Sequence, residues 1–283
     1  MVRDVMCSWV KWFGLYFVPA SLFVLTACQA PTTARPMVSQ QELWQEQAAQ
    51  EAMANEVRAQ GGQPKRWQNL KGARKRFEEA AARIEKSGAE MCRTLGVEQK
   101  TGCYFFFEFD SRDETINAYA DGKKIVVAGG MMRFIASDEE LAMVMAHEMS
   151  HNLLSHPAAN QTNALAGGFV GLLVDALASS QGMNTQGGFT KMGAQAGVLS
   201  YSSDFESEAD YVGMYILANA GYDIRNVANL WRRMSVQDSK GIYTGQTHPT
   251  SPERFIALNK TVTEIEYKRQ HRIPLVPEFK PQT

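Results

Sequence analysis

The sequence predicts an α+β fold that is mostly helical, with a small antiparallel sheet beside one long helix. Three observations predict it. From Asp138 the chain runs without Gly or Pro until Pro157, enough for a helix of about five turns. Cys103 to Phe109 is aromatic and Lys124 to Ala128 is β-branched, the composition of strands. Segments on either side carry apolar residues at helical spacing.

The first residues stand apart from that fold. Arg3 and Lys11 precede an uncharged apolar run from Trp12 to Thr26, short for a transmembrane helix. This is the layout of a secretory signal peptide over residues 1–27. Leu25-Thr26-Ala27-Cys28 resembles the lipobox of bacterial lipoproteins. The resemblance implies cleavage before Cys28 and a diacylglycerol on its thiol, with acyl chains such as palmitate. Position 29 is Gln, not the Asp that retains lipoproteins at the inner membrane, which implies the outer membrane, facing the periplasm. Such a chain is tethered to the bilayer rather than spanning it, and residues 28–38, with Pro31 and Pro36, read as the exposed tether.

With 29 basic and 30 acidic residues in 283, the chain has a net charge of −1. It lacks the excess of Lys and Arg that phosphate neutralisation needs, so nucleic acid is excluded as a partner. Residues 39–283 are long enough for one large domain, with N-terminal helices over 39–95 and a core over about 103–266. Ser39 to Gln60 is rich in Gln, Glu and Ala, a helix with a thin apolar stripe. Gly61-Gly62-Gln63-Pro64 breaks it, and a second helix follows over Lys65 to Leu95, with Trp67, Leu70, Phe77, Ala81 and Ile84 at helical spacing.

Cys7 leaves with the signal peptide and Cys28 is the lipid site, so Cys92 and Cys103 remain. An even pair in an oxidising compartment predicts a disulfide closing a short loop. Between the two strands lies Ile116 to Gly122, where Asp121-Gly122 predicts a turn. Ala164 to Ala178 is apolar and rich in small residues, interrupted by Asp175; a buried helix is the leading reading, with contact to a membrane surface the lesser one. Gln181 to Gly188 is a polar loop and a candidate lid.

The chemistry sits on the long helix. Ser137 is its N-cap, and Asp138, Glu139 and Glu140 follow in the first turn, where acids suit the positive helix end. His147 and His151 are four residues apart and share a face, with Glu148 about 100° round the axis. Two imidazoles on adjacent turns can hold one divalent ion, and a neighbouring carboxylate can reach a water on it. A catalytic zinc needs a third protein ligand. His156 is a poor choice, because Leu154 and Pro157 stand where the metzincin pattern requires Gly and His. Glu206 and Asp210, four apart on one helical face, offer a better pair: Glu206 for the ion, Asp210 for the second N–H of a ligand histidine.

His147-Glu148-x-x-His151, Glu206-x-x-x-Asp210 and His248-Pro249 with Arg254 six residues on together resemble the HtpX/BepA-type gluzincin zinc metallopeptidases. With the lipobox, they resemble that family's small periplasmic lipoprotein branch. The resemblance implies a zincin-like metallopeptidase domain with one Zn2+ per chain, held by His147, His151 and Glu206, with Asp210 behind them. Its neighbour Glu208, two residues away, faces elsewhere on a helix and ranks below Glu206 on that geometry. The resemblance also implies Glu148 as general base, and His248 or Arg254 as donor to the oxyanion, with His248 alternatively a fourth ligand at rest. The implied substrates are misfolded or misassembled envelope proteins, with outer-membrane assembly machinery as a possible partner. The alternative is a metal-stabilised periplasmic chaperone or assembly factor with little proteolysis. The sequence departs from the family in having Asp121-Gly122-Lys123 after the Asn117-Ala118-Tyr119-Ala120 segment and Ser203 ahead of Glu206.

Overall fold

The computed structural model describes residues 32–59, 70–237, 248 and 251–280. The expected signal peptide over residues 1–27, the expected lipid site Cys28 and the expected break at Gly61 to Pro64 lie outside the described residues. The chain divides into two compact units, one containing His156–Phe205 and the other Thr32–Ser155 with Glu206–Thr283. The second unit holds the sheet and the His-Glu-x-x-His helix.

That unit opens with α1, Gln40–Ala59. Its start is a capping box, in which Ser39 Oγ accepts from Glu42 N–H while the Glu42 carboxylate accepts from Ser39 N–H. Buried Glu46 on α1 takes a two-pronged contact from Arg232. Then come α2, Ala73–Thr94, and a short α3, Glu98–Thr101. Phe77, Ala81, Ile84 and Met91 line the buried face of α2, the spacing that the sequence pattern required. Cys92 and Cys103 are joined sulfur to sulfur, with Cα atoms 5.7 Å apart and a sequence separation of 11. A loop of that length is stabilised by about 3 kcal/mol when closed.

The sheet has three strands, β1 Phe106–Asp110, β2 Ala118–Ala120 and β3 Lys124–Ala128, in the order β1-β3-β2. β2 pairs antiparallel with β3 across the Asp121-Gly122 turn, where Gly122 takes φ 106°. β1 pairs with β3 in parallel, Phe106 opposite Lys124. The sheet is therefore mixed where the sequence predicted an antiparallel one. The reason is the segment after β1: the chain passes through β2 first and returns along β3, so the central strand runs the same way as β1.

Gly129–Phe134 forms α4 directly after β3, and Asp138–Leu153 forms α5. Ser137 caps α5 by accepting from Glu140 N–H, and the buried Glu140 carboxylate is gripped by both terminal nitrogens of Arg233. α5 ends earlier than predicted. Leu154 is its C-cap and Ser155 takes φ 59°, the left-handed turn that stops a helix. Pro157 then sits in the first turn of the next helix, where a missing N–H costs nothing. The rest of this unit comprises the end of α7 (Gly188–Asn219), α8 (Asn229–Gln237) and α9 (Pro252–Gln270). Leu141, Met145 and Met149 of α5 pack in one core with Ile125 and Val127 of β3 and Tyr215 and Ile216 of α7.

The expected tether is not free along its whole length. Thr33 pairs with Phe279 in an antiparallel bridge, and the Glu208 carboxylate accepts from Thr32 N–H at 2.6 Å, from Thr32 Oγ1 and from Thr33 N–H. Thr33 is buried as a result.

The other unit is a helical hairpin of α6, His156–Ser180, and the first part of α7. Its α6 is not the buried helix the composition suggested. Leu165, Phe169, Leu172, Leu173 and Leu177 are all exposed.

Gly130 shows how tightly β3 and α4 are held. A Cβ there would lie 2.1 Å from the Glu114 carbonyl oxygen and 2.3 Å from that of Thr115. At Gly88 on α2 the obstacle at 2.1 Å is the Met149 sulfur, the end of a side chain that can turn aside. Gly130→Ala is expected to lower the urea midpoint by the equivalent of about 3 kcal/mol, and Gly88→Ala by about 1 kcal/mol. Equal losses would contradict this account.

Candidate metal centre

α5 presents His147 and His151 from adjacent turns toward one point, their Nε2 atoms 3.1 Å apart. Glu206, on α7, reaches the same point: its two oxygens lie 3.2 Å from His147 Nε2 and 3.4 Å from His151 Nε2. The close approach of the two helices depends on Gly213, whose missing Cβ would sit 3.2 Å from the His147 amide nitrogen. His248 comes from the other side, with Nδ1 2.9 Å from Glu206 and Nε2 3.3 Å from Glu148. One donor atom from each of His147, His151, Glu206 and His248 falls within 4.8 Å of the others.

A layer of charge stands behind this cluster. Arg254 on α9 is 1% exposed. Its Nε and Nη2 donate to the two Asp210 oxygens at 2.7 and 2.9 Å, and its Nη1 lies 3.0 Å from Glu206. Asp210 Oδ1 is 2.9 Å from His147 Nδ1, though the ring N–H is not aimed squarely at it. Trp231 packs edge-on against His147, centroids 5.8 Å apart, and also faces Arg254. These contacts fix both the ring that faces the cluster and the carboxylate opposite.

The electrostatics follow. Burial works against ionising Glu206, yet His248, Arg254 and His151 around it hold its pKa well below the usual carboxylate range. Burial likewise opposes charge on Asp210, and Arg254 overcomes it. Burial would depress the His147 imidazole, but the Asp210 and Glu206 carboxylates lift it to about 9. His248 is raised too: burial lowers it and the Glu148 and Glu206 carboxylates more than compensate. Two carboxylates with only protons and one guanidinium to balance them form an environment suited to a cation.

The residues fit zinc. Two to three imidazoles and one carboxylate are a nitrogen–oxygen set that Zn2+ accepts, they converge, and they are backed by a carboxylate that orients one ligand ring. Glu148 is buried beside them, and its Oε2 has no protein partner among the described residues. A cavity opens at this spot, lined by Val144, Leu230, Trp231 and Met234 together with His147, Glu148 and His248.

The sequence-predicted residues His147, Glu148, His151, Glu206, Asp210, His248 and Arg254 are thus brought to one place. Glu208 is turned away and committed to Thr32 and Thr33. His156 starts α6 and stacks on Phe205, centroids 4.4 Å apart. Arg254 is occupied by two carboxylates rather than turned to an open position. Trp231 and Asn152 were not singled out in the sequence. Asn152 Oδ1 accepts from Gly122 N–H at 2.7 Å, fastening the β2–β3 turn to the residue after His151. An isolated Trp and an Asn beside a ligand carry no spacing signal that could have identified them.

Comparison with known proteins bears on the same residues. The model of peptidase family M48 matches residues 78–262. The chain is 30% identical over 164 residues to the mitochondrial metalloendopeptidase OMA1 of Schizosaccharomyces pombe, covering 56% of this chain and 47% of that protein. It is 33% identical over 162 residues to the beta-barrel assembly-enhancing protease of Yersinia pestis, covering 53% and 33%. The protein of that name from Escherichia coli O157:H7 is 35% identical over 132 residues, covering 44% and 26%. The chain spans less than half the length of these curated relatives.

Zinc binds neutral imidazole, so its uptake must displace the proton that the two carboxylates hold on His147. Below the raised pKa of about 9, apparent zinc affinity is expected to rise roughly tenfold per pH unit. Calorimetric titration of metal-free protein in buffers of different ionisation heat reads the proton directly. Buffer-independent heats at neutral pH would contradict it.

Proposed function

The chain belongs to peptidase family M48, and from that premise we propose that it is a membrane-tethered zinc endopeptidase of the bacterial envelope. The observation that carries this is the convergence of His147, His151 and Glu206 with a buried Glu148 beside them. His147, His151 and Glu206 hold one zinc ion in this reading. When bound, zinc supplies Lewis acidity toward a water and a peptide carbonyl.

Glu148 takes the proton of the attacking water and returns it to the amine nitrogen as the C–N bond breaks. The water oxygen ends on the new carboxyl group and the proton on the new amine. His248 donates to the oxyanion of the tetrahedral carbon, a role supported by its raised pKa and its nearness to Glu148. Arg254 acts as a positioning residue: its contacts with Asp210 and Glu206 keep the ligand carboxylate and the His147 ring in register. An extended substrate segment adds to the free edge of β2, which Asn152 holds beside α5, and an apolar side chain enters the cavity lined by Val144, Leu230 and Met234.

The substrates in this reading are misfolded or misassembled envelope proteins. The name of the beta-barrel assembly-enhancing relatives supports that class and supports outer-membrane assembly machinery as a partner. The signal peptide, diacylglycerol on Cys28 and an outer-membrane position facing the periplasm belong to the same proposal, as does a Cys92–Cys103 bridge maintained in that oxidising compartment.

Glu148→Gln is expected to keep its zinc and to lose cleavage of an unfolded protein such as casein by roughly 10²–10⁴-fold, with zinc content and turnover measured on the same samples. Zinc in both proteins with cleavage by neither would favour a chaperone instead.

A second role for His248 is favoured by its 2.9 Å distance from Glu206, which makes it a fourth donor able to close the site at rest. His248→Ala separates the two. As an oxyanion donor its loss lowers kcat by roughly 10²-fold; as a closing ligand its loss raises basal cleavage. No change in either would remove both roles.

A further inference from the structure

Outside the metal centre the most unusual surface belongs to α6 of the hairpin. From Leu165 to Leu177 every exposed position is apolar, and Leu165 and Leu177 are 70% and 69% exposed. At one residue per 100° these positions sweep more than half the helix circumference, wider than the stripe of a helix that covers a soluble core. Between Pro157 and Ser180 the one ionisable residue is Asp175. It is buried, and its carboxylate accepts from Phe189 N–H, Thr190 N–H and Thr190 Oγ1. The sole charge of α6 is thus spent inside the hairpin, at the start of α7.

The way the hairpin is held together points in the same direction. Gly167 and Gly171 on α6 face Gly193 and Gly197 on α7. A Cβ on Gly167 would lie 2.0 Å from the Gly193 carbonyl oxygen, one on Gly193 2.1 Å from that of Gly167, and one on Gly197 2.0 Å from that of Asn163. Each helix carries a Gly-x-x-x-Gly pair, so backbone meets backbone along the seam. Such a seam buries few large side chains, and is the packing helices use where their apolar side chains gain nothing by leaving their surroundings. Large apolar residues are left outside.

We infer that the α6 face is seated in the hydrocarbon layer of a lipid bilayer. Its 25 residues extend about 37 Å, and helical backbone is self-satisfied in lipid. Among the described residues it is the one helix long and apolar enough to cross a membrane, yet only 22% of its most apolar stretch is buried. It is therefore neither a mostly buried core helix nor, starting at His156, a signal sequence. The chain ahead of the described residues supplies the bilayer. Thr32 is clamped by Glu208, and Cys28 stands only four positions before it, a reach of about 14 Å. The nearness of a membrane rests on the lipoprotein reading; the apolar face does not.

The test uses the full chain in vesicles of phosphatidylethanolamine and phosphatidylglycerol that contain a phospholipid with a photoactivated carbene precursor on its acyl chain. Labelled peptides are mapped by mass spectrometry, and intact mass reports whether Cys28 carries diacylglycerol. Label is expected within residues 157–180. The exposed triple variant Leu165→Glu, Leu172→Glu and Leu177→Glu is expected to lose it by roughly tenfold or more while keeping its zinc. Label confined to the N-terminal peptide would overturn the inference, and so would undiminished label in the zinc-loaded variant. An unlabelled α6 in a particle of twice the chain mass would assign the face to a second copy, which also overturns it. Labelled α6 without diacylglycerol on Cys28 would uphold the inference while removing the lipoprotein reading.

Discussion

The buried guanidinium of Arg254 is the interaction on which the centre depends. A fully desolvated cation is costly unless its hydrogen bonds and charge are matched, and here Asp210 and Glu206 match both. Those two carboxylates sit one turn apart on α7, so a single side chain from α9 fixes the azimuth of that helix. Through Asp210 the same contact reaches the far nitrogen of His147, and through Glu206 it reaches the converging donors. α5, α7 and α9 are thereby aligned by one planar group whose fork geometry a lysine could not reproduce. Removing it would leave two buried carboxylates facing each other, which explains why the assembly has three elements rather than two.

Much of the centre was legible because it is written at helical spacing. His147 and His151 are four apart, Glu206 and Asp210 are four apart, and in both cases the period alone fixes which residues share a face. The ordering of Glu206 over Glu208 follows the same logic, and the structure adds the reason Glu208 is present: it accepts from the backbone N–H groups of Thr32 and Thr33. The exact strand Lys124–Ala128 and the Asp121-Gly122 turn were legible from β-branching and turn chemistry.

Other features were not, for identifiable reasons. The parallel pairing of β1 depends on the path of residues 111–117, which no local propensity encodes. The end of α5 at Leu153 depends on one left-handed residue, Ser155, and serine gives no warning of it. Arg254 reads in sequence as a residue near a His-Pro turn; only its burial reveals that its donors are taken. The α6 segment was misjudged because composition measures how apolar a helix is, not what surrounds it. Apolar character on all sides is compatible with a protein core and with lipid, and the difference lies in exposure.

The clamp at Glu208 has a mechanical consequence. Thr32 and Thr33 are fastened to a carboxylate two residues from Glu206 on α7, and Thr33 is zipped to the C-terminal segment at Phe279. Any tension applied to the N-terminal segment is therefore delivered to the very turn of helix that carries Glu206. The N-terminal segment and the candidate metal ligand share a fulcrum.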